Sequence, residues 1–256
     1  MTAAITGDRR PGRTPVARPS RVDTRPGGGR RTARPVTAGV PPTVSALCAA
    51  DRAAAFEAVM MMRCTAPIAA KRRVTSTQPG HRSAPDASGV LNEFNRPAAA
   101  YRLVRLLAAL DIDARVEARF DGGRHRYEVY RVIVSPGDGA TLRSLLDEAW
   151  RSGYLLLCRT SDRSLPRWQQ RDRRALALAA WRAAMMAAGR RRSATLTLRL
   201  ADPDSMSVLV NGARTMGVHT RAQTRSGYQL LSVSPDSRFE QLFAAVGGTD
   251  IVEDAV

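Results

Sequence analysis

The chain has 256 residues, 44% of them hydrophobic, and its net charge at pH 7 is +17. This composition is typical of a globular protein with a polyanionic partner, and no apolar run reaches the length of a membrane span. Three cysteines without a C-x-x-C spacing, and three histidines without metal-ligand spacing, favour neither a disulfide framework nor a metal site. We therefore expect a cytoplasmic protein without membrane contact, cofactor or metal.

Residues 1–42 form a basic tail that carries nine arginines against Asp8 and Asp23. The segment has almost no large apolar side chains, so it cannot bury enough surface to offset its ordering entropy. We expect it to be disordered. It is either a basic arm that adds nonspecific affinity for phosphate or an N-terminal extension that is not under selection.

A first repeat is predicted over residues 43–151 from its order of helices, turns and strands. Apolar spacing predicts a helix from Ser45 to about Arg63, and Pro97 is typical of a first helical turn. The other predicted elements of this repeat are a hairpin at 67–78, a loop at 79–95, a strand pair within 111–134 and a helix at 140–151.

A connector at 152–170 leads into a second repeat at 171–248, and residues 249–256 form a short tail. The connector contains the apolar run YLLLC, which reads either as a short strand or as buried packing. The second repeat has the same order of elements as the first. Its predicted elements are a helix at 171–188, a strand at 192–200, a helix at 203–216, a strand pair within 216–233 and a helix at 237–246.

The strand pairs of the two repeats share one pattern, an arginine, a polar residue and an arginine at alternate positions. Side chains two apart on a strand lie on the same face of the sheet. We therefore predict an α+β fold whose two repeats are related by a pseudo-two-fold axis and form a saddle-shaped antiparallel sheet with a basic face, opposite a core that includes Val116 and Phe120. Such a face suits double-stranded DNA better than a small molecule, and its candidate contacts are Arg115, Arg119, Arg221 and Arg225.

Two further basic runs occupy related turns in the repeats. They are either clamps for DNA phosphate or solvated residues beside a helix end, where the helix dipole favours positive charge. The residues are Arg190, Arg191 and Arg192 in the second repeat and Lys71, Arg72 and Arg73 in the first.

The first helix of each repeat has alanines four residues apart, a spacing that lets two helices approach closely. We predict that these helices form the seam between the repeats, although alanine is also a common helix former. The residues are Ala54 and Ala58 in one helix and Ala180, Ala184 and Ala188 in the other.

This layout resembles the LAGLIDADG homing-endonuclease fold, and more closely the WhiA-like regulators of bacterial sporulation and cell division. The resemblance covers about 44–248; it is clearest in 175–200 and 207–225 and weaker in 48–63 and 98–119. It implies a DNA-binding transcriptional or developmental regulator, with transcription machinery as a further partner. The alternative is a protein-interaction module that kept the fold without a role on DNA.

Two departures from these families shape the prediction. The seam helices end in MMMRCTAP and MMAAGRRR without the terminal carboxylates that hold divalent metal in LAGLIDADG nucleases, and the nearest acids, Glu57 and Asp172, lie elsewhere. We therefore expect no enzyme activity and no catalytic residue. The chain stops at Val256, so we also expect no helix-turn-helix domain after the second repeat.

Overall fold

The computed structural model describes residues 47–65, 89–121, 126–159, 165–192, 195–233 and 236–247. These residues all fall in one unit, Val40–Val256. The predictions for the tails at 1–42 and 249–256 lie outside the described residues. So do those for the hairpin at 67–78, which contains Lys71, Arg72 and Arg73.

The described chain is a mixed fold of helices and antiparallel strands, as the sequence predicted. Its helices are α1 (Ala49–Cys64), α2 (Pro97–Ala109), α3 (Gly139–Tyr154), α4 (Arg167–Ala188), α5 (Pro203–Thr215) and α6 (Ser237–Ala245). Its strands are β1 (Val90–Phe94), β2 (Ala114–Asp121), β3 (Tyr127–Val134), β4 (Gly189–Arg192), β5 (Thr195–Leu200), β6 (Arg221–Arg225) and β7 (Tyr228–Val233).

The strands form two antiparallel sheets with related topology. The first sheet has the order β1-β3-β2 and the second has the order β4-β5-β7-β6. In each sheet a strand leads through a helix into a hairpin, and the second strand of that hairpin pairs with the strand that preceded the helix. Apart from β4, the order of the described elements is therefore the same in both halves of the chain.

The segment predicted as a loop at 79–95 ends in a strand, β1, which the sequence did not reveal. Its register with β3 shifts between Val90 and Asn92. The buried residues of the strand, Leu91 and Phe94, are consequently three apart rather than two. A bulge of this kind removes the apolar alternation by which a strand is recognised.

The predicted strand at 192–200 corresponds to β5, which pairs with an additional strand, β4, that the sequence did not reveal. β4 begins at Gly189, directly after α4, and a Cβ at that position would overlap the backbone of Met185. Glycine therefore permits the abrupt change from helix to strand. The run at 154–158 is not a strand, because α3 continues as a π-helical turn over Leu155–Arg159 and buries Leu157.

Helix α1 packs against α4 as well as α2 and α3. Phe56, Met60 and Met61 of α1 are fully buried. Ala58, Ala180 and Ala184 are also fully buried, which fits the close approach expected for the seam helices. The sheets add their inner faces to this core, for example through Val132 and Leu198.

Candidate nucleic-acid interface

Strand β2 places its two arginines on the open face of the first sheet. Arg115, Glu117 and Arg119 are exposed and pair in register with Ile133, Arg131 and Val129. The alternate residues Ala114 and Val116 are half-buried and pack against the core. The alternation in the sequence therefore placed the arginines on the correct face.

The prediction that Phe120 belongs to the core is wrong. Its side chain is 69% exposed, and it pairs in register with the exposed Glu128 near the end of the hairpin. Ala118 is also exposed, so the buried part of β2 ends at Val116. The last residues of this strand extend beyond the region that the helices cover.

The open face of the first sheet carries acids beside its arginines. Arg131 forms an ion pair with Glu93 of β1 at 2.7 Å. Arg131 also pairs in register with Glu117, which forms no ion pair within the described part of the chain. Asp121 continues the row of Arg115, Glu117 and Arg119 and is also exposed. Three arginines (115, 119 and 131) and three acids (93, 117 and 121) therefore give this face no net charge.

The open face of the second sheet has a different charge. Arg221 and Arg225 of β6 are exposed and pair in register with Ser232 and Tyr228. Thr197 and Arg199 of β5 continue the same rows through Ser232 and Leu230. No described residue of these rows is acidic, and the exposed arginines 190, 199, 221 and 225 give the face a net charge of +4.

Neighbouring side chains orient two of these guanidinium groups. The guanidinium carbon of Arg199 lies 3.9 Å from the centre of the Tyr228 ring. Arg225 donates a hydrogen bond from Nη2 to Oε1 of Gln223 at 3.1 Å. Contacts of this kind reduce the entropy that an arginine loses on binding an anion.

The run of arginines after α4 lies in strand β4 and not at a helix end. Arg190 is exposed and pairs in register with Thr197, while Arg191 and Arg192 pair with Leu196 and Thr195. The helix ends at Ala188, and its last turn has no basic residue. These arginines are therefore positioned by the pairing of β4 with β5.

A carboxylate that the sequence did not point to lies near the end of α1. Asp202 is the N-cap of α5, where it accepts hydrogen bonds from the backbone N–H groups of Asp204 and Ser205. Arg63 pairs with the same side chain at 2.6 Å. The Asp-Pro start of α5 signals the cap, but nothing in the sequence signals an ion pair between residues 139 positions apart.

Cys64, the last residue of α1, is fully buried. Burial, together with the nearby charge of Asp202, raises the pKa of its thiol to about 12, although Arg63 opposes the shift. The thiol is therefore protonated at neutral pH, and it does not have the reactivity of a thiolate.

The two acids that the sequence placed near the seam are engaged in ion pairs. Glu57 is buried and binds Arg102 and Arg182, whereas Asp172 pairs with Arg52 at 2.9 Å. Among the described residues, no cluster of three histidines, cysteines or acids has the geometry to hold a metal ion. None of the described helices has both the length and the apolarity needed to cross a membrane.

Comparison with solved structures finds a similar arrangement of elements in the N-terminal LAGLIDADG domain of DUF199/WhiA, with 12% identity over 77% of this chain and 83% of that one and a TM-score of 0.49. Full-length DUF199/WhiA from Thermatoga maritima is 11% identical over 80% of this chain, which spans 58% of its length, with a TM-score of 0.48. I-DmoI in complex with DNA and Mn is 10% identical over 77% of this chain and 97% of that one, also with a TM-score of 0.48.

No protein-family model matches the chain. No curated protein matches it either. The resemblance to a WhiA-like LAGLIDADG domain that was noted in the sequence is the one that the structure comparison finds.

Proposed function

We propose that the protein binds double-stranded DNA through the open faces of its two sheets. The observation that carries this proposal is the open face of the second sheet, which presents four exposed arginines and no acid at its described positions. Guanidinium groups bind phosphate oxygens in a two-pronged geometry and keep their charge at any physiological pH. Phosphate groups spaced along a duplex are the ligand that suits such a row.

The arrangement of the two halves supports a duplex as the ligand. Apart from β4, the described parts of the two halves have the same order of helices and strands, and α1 of one packs against α4 of the other. We infer a pseudo-two-fold relationship about this helix pair, which turns both open faces to one side as a saddle. Arg115 and Arg119 then meet the duplex on one side of the axis, and Arg221 and Arg225 meet it on the other.

The sequence resemblance to WhiA-like regulators adds a biological role to the binding activity. We propose a transcriptional or developmental regulator, associated with the nucleoid and with transcription machinery as a second partner. Sporulation and cell division are the processes that the resemblance implies. No small-molecule substrate belongs to this role.

We also propose that the protein does not cut the DNA that it binds. The residues at the ends of the seam helices are Cys64 with Thr65 and Ala188 with Gly189, and none is a carboxylate. Asp202, which lies near the first of these ends, already binds Arg63 and caps α5. Activating a phosphodiester through divalent metal needs carboxylate oxygens that are free to bind the ion.

A protein-interaction module is the second candidate function. Two large apolar side chains, Trp168 of α4 and Leu155 after α3, are 61% and 56% exposed. Tryptophan is enriched at protein interfaces. Under this alternative the sheet arginines are solvated, and the chain binds a protein through its helices without binding DNA.

The test is a titration of a labelled duplex with the full chain at several salt concentrations. Phosphate contacts release counterions, so log K should fall linearly with log salt, with a slope of about −0.9 for each phosphate neutralised. We expect similar affinity for unrelated sequences, because phosphate contacts position a protein without reading bases. Absence of binding at low salt would contradict the proposal and favour the protein-interaction alternative.

A further inference from the structure

The two repeated strand motifs differ in charge at their central residue. Glu117 lies between Arg115 and Arg119 in β2, and Gln223 lies between Arg221 and Arg225 in β6. Both strands are edge strands, and each pairs with the second strand of its hairpin. Glutamate and glutamine have nearly the same shape, so the exchange changes the charge at this position and little else.

Glu117 lowers the positive potential of the first open face. Residues two apart on a strand are separated by about 7 Å, which is less than the Debye length of about 8 Å at physiological salt. The carboxylate therefore acts on both neighbouring arginines. Arg131, the third arginine of this face, is already paired with Glu93.

Gln223 has the opposite effect on the second open face. It leaves the charges of Arg221 and Arg225 undiminished and accepts a hydrogen bond from Arg225 at 3.1 Å. Its register partner is the uncharged Leu230, which also pairs with Arg199. The four exposed arginines give this face a net charge of +4, whereas the charges of the first face sum to zero.

Building on the proposed DNA binding, we propose that the two sheets bind the duplex unequally. The second sheet makes most of the phosphate contacts. The central residue of each motif, Glu117 or Gln223, determines how many of these contacts its sheet makes. The first sheet lies along the duplex but makes fewer phosphate contacts, because Glu117 repels phosphate.

The experiment is a reciprocal exchange in the full chain, using Glu117→Gln and Gln223→Glu. Both positions are on an open sheet face and both exchanges keep the side-chain shape, so each variant serves as the matched control of the other. Affinity for one labelled duplex is measured over a salt series, and circular dichroism checks that both variants melt as the parent does.

We expect the two exchanges to have opposite effects. Gln223→Glu should weaken binding several-fold and reduce the steepness of the salt dependence by about 0.9, the loss of one phosphate contact. Glu117→Gln should strengthen binding and steepen the dependence by a similar amount. In the variant with both exchanges, the affinity lost on removing Arg115 should come closer to the affinity lost on removing Arg221 than it does in the parent.

Three results would overturn the inference. Equal losses from Arg115→Ala and Arg221→Ala in the parent would show that the sheets share the contacts evenly. Unchanged affinity and salt dependence in both exchange variants would show that the central residue does not determine how many phosphate contacts its sheet makes. If the parent binds no duplex, the DNA-binding proposal fails as well, so the two failures are distinguishable.

Discussion

Arg102 of α2 holds Glu57 of α1 with two hydrogen bonds, from Nε to Oε1 at 2.7 Å and from Nη2 to Oε2 at 2.9 Å. Arg182 of α4 donates to the same carboxylate at 3.0 Å. The hydrogen bond to Glu57 raises the pKa of Arg102 above its ordinary value, while partial burial opposes the shift. One buried carboxylate thus joins three helices, including the two that form the seam.

Replacing Glu57 with glutamine should destabilise the protein strongly. Two guanidinium groups would lose their counter-charge beside the core, and breaking such a pair typically costs about 3–5 kcal/mol when it is fully buried. Because Arg102 and Arg182 remain about 30% exposed, we expect a smaller loss, of about 2–3 kcal/mol in the free energy of unfolding measured with urea. The control is Asp172→Asn in the more exposed pair with Arg52, which should cost less than about 1 kcal/mol. Equal losses in the two variants would contradict this account.

Gly153 of α3 should not tolerate alanine, although alanine is the better helix former. A Cβ at this position would overlap the ring of Phe56, which is fully buried. Forcing a methyl group into a packed core costs about 1–3 kcal/mol, which exceeds the gain of up to about 1 kcal/mol in helix propensity. Thermal unfolding of Gly153→Ala should show the loss. Gly137→Ala, where a Cβ would meet no atom within 4 Å, should melt as the parent does.

The raised pKa of Cys64 makes stability depend on pH in the alkaline range. Burial raises it from its ordinary 9.0 to about 12. Between these values the thiol ionises only in the unfolded chain, so its contribution to stability is complete below pH 9 and is lost as the pH rises from 9 to 12. The loss attributable to Cys64 at pH 10 is about 1.4 kcal/mol.

Urea unfolding of the parent and of Cys64→Ala at pH 8 and pH 10 measures this contribution. The variant loses packing at both values, so the informative quantity is the change in the difference between the two proteins. That difference should shrink by about 1.4 kcal/mol on going to pH 10. A constant difference would mean that Cys64 ionises equally in the folded and unfolded chains.

Supercoiled plasmid should remain intact when incubated with the protein and Mg²⁺ or Mn²⁺. The ends of the seam helices offer no free carboxylate for these ions, since Asp202 is held by Arg63. Gel electrophoresis after prolonged incubation gives the readout. Metal-dependent nicking that copurifies with the protein, and that is lost in Asp202→Asn, Glu57→Gln or Asp172→Asn while circular dichroism shows the variant still folded, would identify a nuclease.

The sequence predicted elements whose signals are local. Pro97 marks the start of α2, and the alternating arginines of β2 and β6 lie on open sheet faces as expected. β1 was missed because its bulge removes the alternation. β4 was missed because it is short and begins directly after α4, where its arginines suggest a helix end.

Features that depend on distant contacts were not predictable from one sequence. The pairing of Glu93 with Arg131, which lowers the charge of the first open face, follows from the register of β1 on β3. Asp202 meets Arg63 only because α1 and α5 converge in the fold. The exposure of Phe120 depends on where the covering helices end, which the alternation within β2 does not encode.

The most direct test of the account is the salt dependence of duplex binding by the variant with Arg221→Ala and Arg225→Ala. The matched control removes two exposed helix arginines, Arg143 and Arg174, and so changes the net charge equally. We predict that the sheet variant loses affinity for all duplexes alike and that its slope is shallower by about 1.8, while the control changes little. Equal behaviour of the two variants, with affinity lost only when residues 1–42 are deleted, would contradict DNA binding by the sheet face.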